Sequence, residues 1–560
     1  MTLRERPCNL AADAAIFDTA ERGGIPLMLS SRKLVSAVPW LAIVAMALAL
    51  RVTPITAGLP YLDYIDEGHV LHQTLRVVHG RTLNTGLYDY PSLPCYTLAA
   101  LLVLYSPVYE RAHGHPLADD FARQPGKPET LDPYYDFVSP RDVIVVGRSL
   151  VALLGVGTVI LTGATVRLLA GRSTALIAML FAALAPALVI RSSNVMVDNF
   201  ATFFVALAIY FSVRLQAGAT ELTQGRWRYA LGAGAAAGFA FTSKYPAGAV
   251  LVAVMIAIVQ SRARSRAMLI AAALFAFAVA AALAMPALFL SPSEVVRNWL
   301  YLAQSYDTLH SASYLAAALS SAELGIPLTV AGLLGFIVMF RGEPAARRAA
   351  TVWVAFALIL LSGLVWSSFQ PFRNLLPIVP LVCAGAAMAI DWLRTRSLTV
   401  HGSPPLGLPL AVAATIVLTS SLALASWRHL EQRTSLVDTR VRAVDWLREH
   451  TRPEDRILVV RELAFAPEEW KRLPAQPAVV PWFDGLGILE RETFDYIVTS
   501  EFDLTFAADP PKWRDYLERW RTALAGRPEV ASFGSVPCFI DPGVWRTNHE
   551  RIVILRGERK

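Results

Sequence analysis

Pro94–Pro107 reads PCYTLAALLVLYSP, and whether this stretch crosses a bilayer decides the sidedness of everything that follows it. Its apolar part, Thr97–Tyr105, is only about ten residues long, against roughly 20 for a membrane-spanning helix. Counted as a span, it sends every later arginine cluster to the outer side. Left out, it lets those clusters fall together on the cytoplasmic side, as the positive-inside rule requires. The stretch is therefore expected to lie as a helix in the outer interface.

The rest of the chain supports a membrane setting. It has 560 residues, 55% of them hydrophobic and 17% charged, with a mean hydropathy of +0.45. A soluble chain carries nearer a quarter charged residues. Apolar runs such as Thr174–Ile190, Met268–Leu290, Val352–Val365 and Leu408–Ala425 recur with little charge inside. The expected fold class is a polytopic α-helical membrane protein with a small α/β C-terminal domain. Eleven spans are expected near 34–52, 142–166, 174–190, 197–213, 229–243, 246–261, 267–290, 323–340, 350–367, 374–392 and 406–427. Arg32/Lys33, Arg167/Arg172, Arg214/Arg226/Arg228, Arg262/Arg264/Arg266, Arg341/Arg347/Arg348 and Arg394/Arg396 mark the cytoplasmic loops. The expected divisions are a cytoplasmic segment 1–33, a membrane module 34–428 with a large outer loop 53–140, and an outward-facing domain 429–560. In that last part Val437–His450 reads as an amphipathic helix, and Arg456–Arg461, Phe494–Thr499 and Arg551–Leu555 read as buried strands, with a helix near Lys512–Leu524. At about 130 residues it can bury a core of its own.

Two classes of function are set aside. The net charge of +7 comes from arginines scattered over short loops, a poor footprint for nucleic acid. Cys8, Cys95, Cys383 and Cys538 show no paired spacing, so neither a zinc site nor a disulfide framework is indicated. The first thirty or so residues are polar, with no signal-peptide cleavage site evident.

The outer loop carries the chemistry. Tyr61–Glu67, YLDYIDE, places Asp63, Asp66 and Glu67 within five positions. A carboxylate held at a membrane boundary is a candidate general base, because partial desolvation raises basicity; the bland reading is a solvated acidic turn. Other polar residues fall where span ends meet the outer face: Arg191-Ser-Ser-Asn194 and Asp198, Ser243-Lys244-Tyr245, and Gln370-Pro-Phe-Arg373-Asn374. Each has an ordinary reading as an interface anchor or a snorkelling side chain. Together, on one face, they argue for a polar cavity. His69 and His72 follow Asp66 on the same helical stretch, and His113-Gly-His115 is a second pair; either suits a divalent ion, with no full ligand set visible. Gly234-Ala-Ala-Ala-Gly238 reads as close helix packing rather than nucleotide binding. Ser291-Pro-Ser-Glu294 reads as the start of an interfacial helix.

The ordered set of landmarks resembles the GT-C glycosyltransferases, specifically the protein O-mannosyltransferase and aminoarabinose-transferase-like family. The matching pieces are Asp66-Glu67-Gly68 after the first span, Tyr88–Tyr96 (YDYPSLPCY), Arg148, Asp198, Thr242-Ser-Lys244-Tyr245 and Arg373-Asn-Leu-Leu-Pro377, and the likeness runs from about residue 34 to 400 and takes in the outward tail. The family's Pro-Pro is broken here to Pro91-Ser-Leu-Pro94, and Asn374 stands where an aromatic is common; these departures bear on acceptor and donor preference more than on reaction class.

The resemblance implies transfer of a sugar, with inversion, from a polyprenyl-phosphate carrier to a protein, lipid or polysaccharide acceptor at the outer membrane face. It implies Asp66 as base with Glu67 orienting it or the acceptor; Arg373, Lys244 and Arg191 as cations for the carrier phosphate; and Asp63, Tyr90, Asp198 and Tyr245 as lining of the cavity. No cofactor is required, and a divalent metal at His69 and His72 is left open. Against this stand a glycolipid transporter or flippase, which would more naturally place charges at mid-membrane, and a non-catalytic scaffold, which leaves Asp66, Glu67 and Arg373 without a role.

Overall fold

The computed structural model describes residues 31–59, 61–62, 65–86, 88–122, 141–217, 225–261, 263, 265–305, 323–365, 372–396, 406–435, 437–463, 465, 467–480, 482–500, 511–534 and 551–557. By backbone contacts the chain divides into Met1–Ala42 and Ile43–Lys560. The first unit contains the start of the helix Ser31–Val52; everything below concerns the second.

Apolar runs dictate the helices. Among the described residues, Arg141–Leu184, Val197–Ala217, Arg266–Ala284, Pro344–Leu364, Phe372–Thr395 and Gly407–His450 are long and apolar enough to cross a membrane, and Ala37–Val52, Tyr245–Gln260 and Ile326–Arg341 are shorter apolar helices. The expected stretch 229–243 is the helix Arg226–Ser243. Two expected spans, 142–166 and 174–190, lie largely in the single run Arg141–Leu184, broken at Gly171, where φ is 79° and ψ −169°. Side chains such as Met268, Phe275 and Leu283 on Arg266–Ala284 are exposed, as lipid-facing positions should be.

Small residues set the closest helix contacts. A Cβ on Gly234 would run into the backbone of Ala273, and one on Gly238 would lie 2.6 Å from the Phe277 carbonyl oxygen. The motif thus lays Arg226–Ser243 directly against Arg266–Ala284. Gly335 meets the Gly385 backbone in the same way.

The Pro94–Pro107 stretch is longer than expected. The helix runs Leu93–His113, with Pro94 in the first turn, where a missing N–H costs little, and Pro107 inside it. It ends at Gly114, φ 76°, whose N–H reaches the Glu110 carbonyl. Pro107 does not stop it, because removing one backbone bond is tolerable in a helix otherwise packed along one side. Leu98 and Leu102 join Val70, Leu71 and Leu75 of the helix Ile65–Gly80 in one apolar core with Val143, Ile144, Val195 and Val197. At 21 residues it has the length of a span, yet its last turns carry Glu110, Arg111 and His113, and it is not one of the six apolar candidates. A helix begins at Pro292, as Ser291-Pro-Ser-Glu294 suggests, and runs to Ser305.

The tail forms a five-stranded sheet: β1 (Ile457–Val460), β2 (Ala478–Val480), β3 (Tyr496–Ser500), β4 (Glu529–Phe533) and β5 (Ile552–Arg556), in the order β2-β1-β3-β5-β4. β1 is parallel to β2 and β3, while β5 is antiparallel to β3 and β4. Helix Thr439–His450 covers it with Ala443, Val444 and Leu447, and Trp520 of helix Pro511–Leu524 enters the same core. The three expected strands are present; β2 and β4 were not anticipated.

Gly234→Leu should drive Arg226–Ser243 away from Arg266–Ala284 and destabilise the fold by about 1–3 kcal/mol or more. Gly363→Ala, where a Cβ meets nothing within 4 Å, should leave it unchanged. Thermal unfolding in detergent reads both; equal melting temperatures for Gly234→Leu and the parent would refute the contact.

Candidate active site

Asp66 and Glu67 open the helix Ile65–Gly80, where its dipole favours negative charge. Adjacent helix residues point about 100° apart, and these two carboxylates go to different partners. Asp66 is ion-paired through Oδ2 to Nη1 of Arg373, with the carboxylate side chain 13% exposed and the arginine buried. Glu67 is wholly buried. Arg148 donates to it twice, Nε to Oε1 and Nη2 to Oε2, each at 2.8 Å. The Val195 N–H donates to Oε1 at 2.9 Å, and the remaining Arg148 nitrogen donates to the carbonyls of Ile55 (2.9 Å) and Ala57 (2.8 Å). Glu67 therefore does not face an acceptor. It anchors the turn from which Asp66 projects, a placement that suits orienting Asp66 and not orienting an acceptor.

The second cation sits close by. Lys244 is the extended residue between the helix ending at Ser243 and the 3-10 turn Tyr245–Ala249. Its Nζ donates to Asp198 Oδ1 and to Asn374 Oδ1, both at 2.5 Å. Asn374 and Arg373 share the 3-10 turn Phe372–Ile378, so the residue that departs from the family's aromatic holds the lysine beside the arginine.

Tyr90 lies near this cluster. Burial, then the Asp66 and Asp89 charges against that of Arg373, hold its phenol well above the ordinary range, so it stays protonated at neutral pH. Its ring meets His69 edge-on at 5.4 Å. His69 Nε2 lies 3.1 Å from Asp89 Oδ1 and 2.7 Å from Gln73 Nε2. Burial pushes the Asp89 carboxyl up, but the His69 hydrogen bond and charge and backbone N–H groups outweigh it and leave the carboxyl below its usual value. Asp89 was within reach of sequence reasoning, since it stands in the YDYPSLPCY landmark.

Other expected residues fall elsewhere. Arg191 is fully buried against Glu323, Nη2 to Oε1 at 2.5 Å, so its charge is already matched, contrary to the expectation that it would face a carrier phosphate. Tyr245 donates its hydroxyl to the Tyr88 carbonyl at 2.8 Å and packs on Tyr88, Met285, Ala287 and Val295, so it supports the wall rather than the charges. His72 is buried, and His113 pairs with Asp142 at 2.9 Å. Among the described residues no three His, Cys, Asp or Glu side chains gather as a metal site. Asp63 lies outside the described residues.

This arrangement sits in a known architecture. The chain has the GT-C glycosyltransferase fold. The sequence model of dolichyl-phosphate-mannose-protein mannosyltransferases matches residues 134–302. ArnT from Cupriavidus metallidurans, solved bound to undecaprenyl phosphate, superposes at TM-score 0.52 and 13% identity over 93% of this chain and 98% of its own. The oligosaccharyltransferase AglB from Archaeoglobus fulgidus, in complex with an inhibitory peptide and a dolichol-phosphate, gives 0.50 and 11% over 91% and 74%. No curated protein sequence matches. The likeness inferred from the landmarks in sequence is borne out, and the chain is an integral membrane protein.

Removing one partner of the Glu67–Arg148 pair should leave a buried charge uncompensated. Arg148→Ala and Glu67→Gln are each expected to cost about 3–5 kcal/mol of stability. The double variant Glu67→Leu/Arg148→Met should lose clearly less than the two singles combined. Melting temperatures and folded yield in detergent test this, and additive losses would contradict it.

Proposed function

We propose that this chain is an inverting glycosyltransferase that moves a sugar from a polyprenyl-phosphate carrier to an acceptor hydroxyl at the outer face of the membrane. The observation that carries the reading is the partly reachable Asp66–Arg373 pair with Lys244 held beside it by Asn374. An acceptor hydroxyl is a weak nucleophile at neutral pH and needs a base to take its proton as it attacks. Asp66 is that base. The oxygen attacks the anomeric carbon opposite the phosphate, the carbon–oxygen bond to phosphate breaks, and its electron pair leaves on the phosphate oxygen. The proton ends on Asp66. Arg373 and Lys244 meet the charge that grows on the leaving phosphate, and the guanidinium fork suits its oxygens.

The resting ion pair fits the same scheme. An arriving phosphate competes with Asp66 for Arg373, drawing the cation away and releasing the carboxylate for proton transfer. The carrier's tail lies among the apolar helices, so neither a nucleotide loop nor a soluble donor site is needed.

The polar cluster then faces outward with loop 53–140 and the sheet domain, and the N-terminus faces the cytoplasm. The arginine-rich loops support this orientation.

Transfer from a polyprenyl-phosphate sugar in membranes is the test. Asp66→Asn should lower kcat by roughly 10²–10⁴-fold. Arg373→Ala should lower it by about 10²-fold or more. Wild-type rates in both would remove the assigned base and cation. For sidedness, Glu110→Cys, exposed on Leu93–His113, should react in intact cells with an impermeant thiol reagent when the other cysteines are replaced. Labelling only after lysis would reverse the orientation.

A further inference from the structure

We infer that the C-terminal sheet domain is a positioning element for the segment that carries Asp66, acting through Arg440 and Arg433; this rests on the role proposed for Asp66. Arg440 belongs to the helix Thr439–His450, whose Ala443, Val444 and Leu447 are part of the sheet's core. Its guanidinium is fixed by three hydrogen bonds to two partners. Nε donates to Asp438 Oδ1 at 3.0 Å, Nη2 to Oδ2 at 2.8 Å, and Nη1 to the Leu463 carbonyl at 3.5 Å. Held this way, its Cζ stands 3.9 Å from the centre of the Tyr61 ring. Both residues are 2% exposed, and a desolvated guanidinium over an aromatic face is the strong form of this attraction.

Tyr61 lies five residues before Asp66. Arg148 holds the Ile55 and Ala57 carbonyls before Tyr61 and Glu67 after it. Arg440 supplies the fixed point in between.

Arg433 grips the other side of the same assembly. It closes the helix Gly407–Ser435 and donates to Asn194 Oδ1 at 2.5 Å, to the Ser193 carbonyl at 3.4 Å, and to the Ser193 hydroxyl. The next residue, Val195, gives its N–H to Glu67. Two arginines at the root of the tail therefore reach the acidic segment by independent routes, one through a ring and one through a backbone amide.

The consequence is kinetic. Proton transfer depends on sub-ångström placement of the base, and a 1 Å displacement can cost about 10²-fold. Carrier binding depends on Arg373 and Lys244, which stand on other elements. Loosening Tyr61 should thus lower kcat without raising the carrier KM, since a displaced Asp66 competes less for Arg373.

Full-length enzyme carrying Arg440→Gln, Tyr61→Leu, both together, or Tyr61→Phe is assayed for transfer from a polyprenyl-phosphate sugar. Amide exchange is followed at 61–67 and in β3. Each of the first two should lose about 10–100-fold in kcat, with carrier KM no higher than about twice that of wild type and β3 still protected. The double variant should lose no more than the worse single. Tyr61→Phe keeps the ring face and should keep the rate. Amides at 61–67 should exchange faster in both single variants. Tyr61→Leu leaves the tail untouched, so it decides the matter if Arg440→Gln fails to fold. Wild-type kcat in Tyr61→Leu, or losses that multiply in the double, overturns the inference. If wild-type enzyme transfers no sugar, the functional reading fails by itself. Exchange then still decides the coupling: faster exchange at 61–67 upholds it and unchanged exchange refutes it.

Discussion

A carboxylate and a guanidinium with no access to water, Glu67 and Arg148, hold together pieces of chain that sequence keeps far apart. Burying two charges is costly, and their attraction compensates only when every remaining lone pair and proton is matched. Here that condition is met. Both carboxylate oxygens accept from arginine, one accepts a backbone N–H as well, and the last guanidinium nitrogen spans two carbonyls. Lysine, with one charged nitrogen, could not do this. The pair ties the turn at 55–57, the start of Ile65–Gly80, the first turns of Arg141–Leu184 and the loop before Val197 into one unit. Asp66 inherits a fixed direction because its neighbour is immobile.

Burial separates the ion pairs by use. Glu67–Arg148 and Arg191–Glu323 are sealed, with exposures of 0–2%. Their charges are spent on each other and cannot answer a ligand. Asp66–Arg373 and Asp198–Lys244 each keep one member partly reachable. Burial thus divides these charged pairs into two that are sealed and two with a member at 13–15% exposure.

Much of this was legible before any coordinates. Long apolar runs leave few choices in a bilayer, so the helices fall where hydropathy puts them. The sheet's three inner strands were equally plain, because a strand buried on both faces is written as a mostly apolar run, unbroken in Ile457–Val460 and Ile552–Leu555. The missed strands, β2 and β4, lie at the sheet's edges and carry exposed residues, so they lack that mark. The different fates of Asp66 and Glu67 could not be read locally. Two adjacent carboxylates look alike until their partners are known, and those partners stand 307 and 81 residues away. Arg191 misled for the same reason: its counter-ion Glu323 is 132 residues distant. Leu93–His113 exceeds its expected length because a proline does not end a helix whose one face, Leu98, Leu102 and Tyr109, is held in a core on either side of it in sequence.

Gly171 shows a different kind of constraint. Its backbone turns the long run Arg141–Leu184 at φ 79°, ψ −169°, and a side chain placed there would touch nothing. Room is abundant, yet every chiral amino acid is unwelcome, since the obstacle is the handedness of the residue's own α-carbon against its flanking carbonyls. A site can therefore look permissive by every measure of crowding and still accept a single residue type.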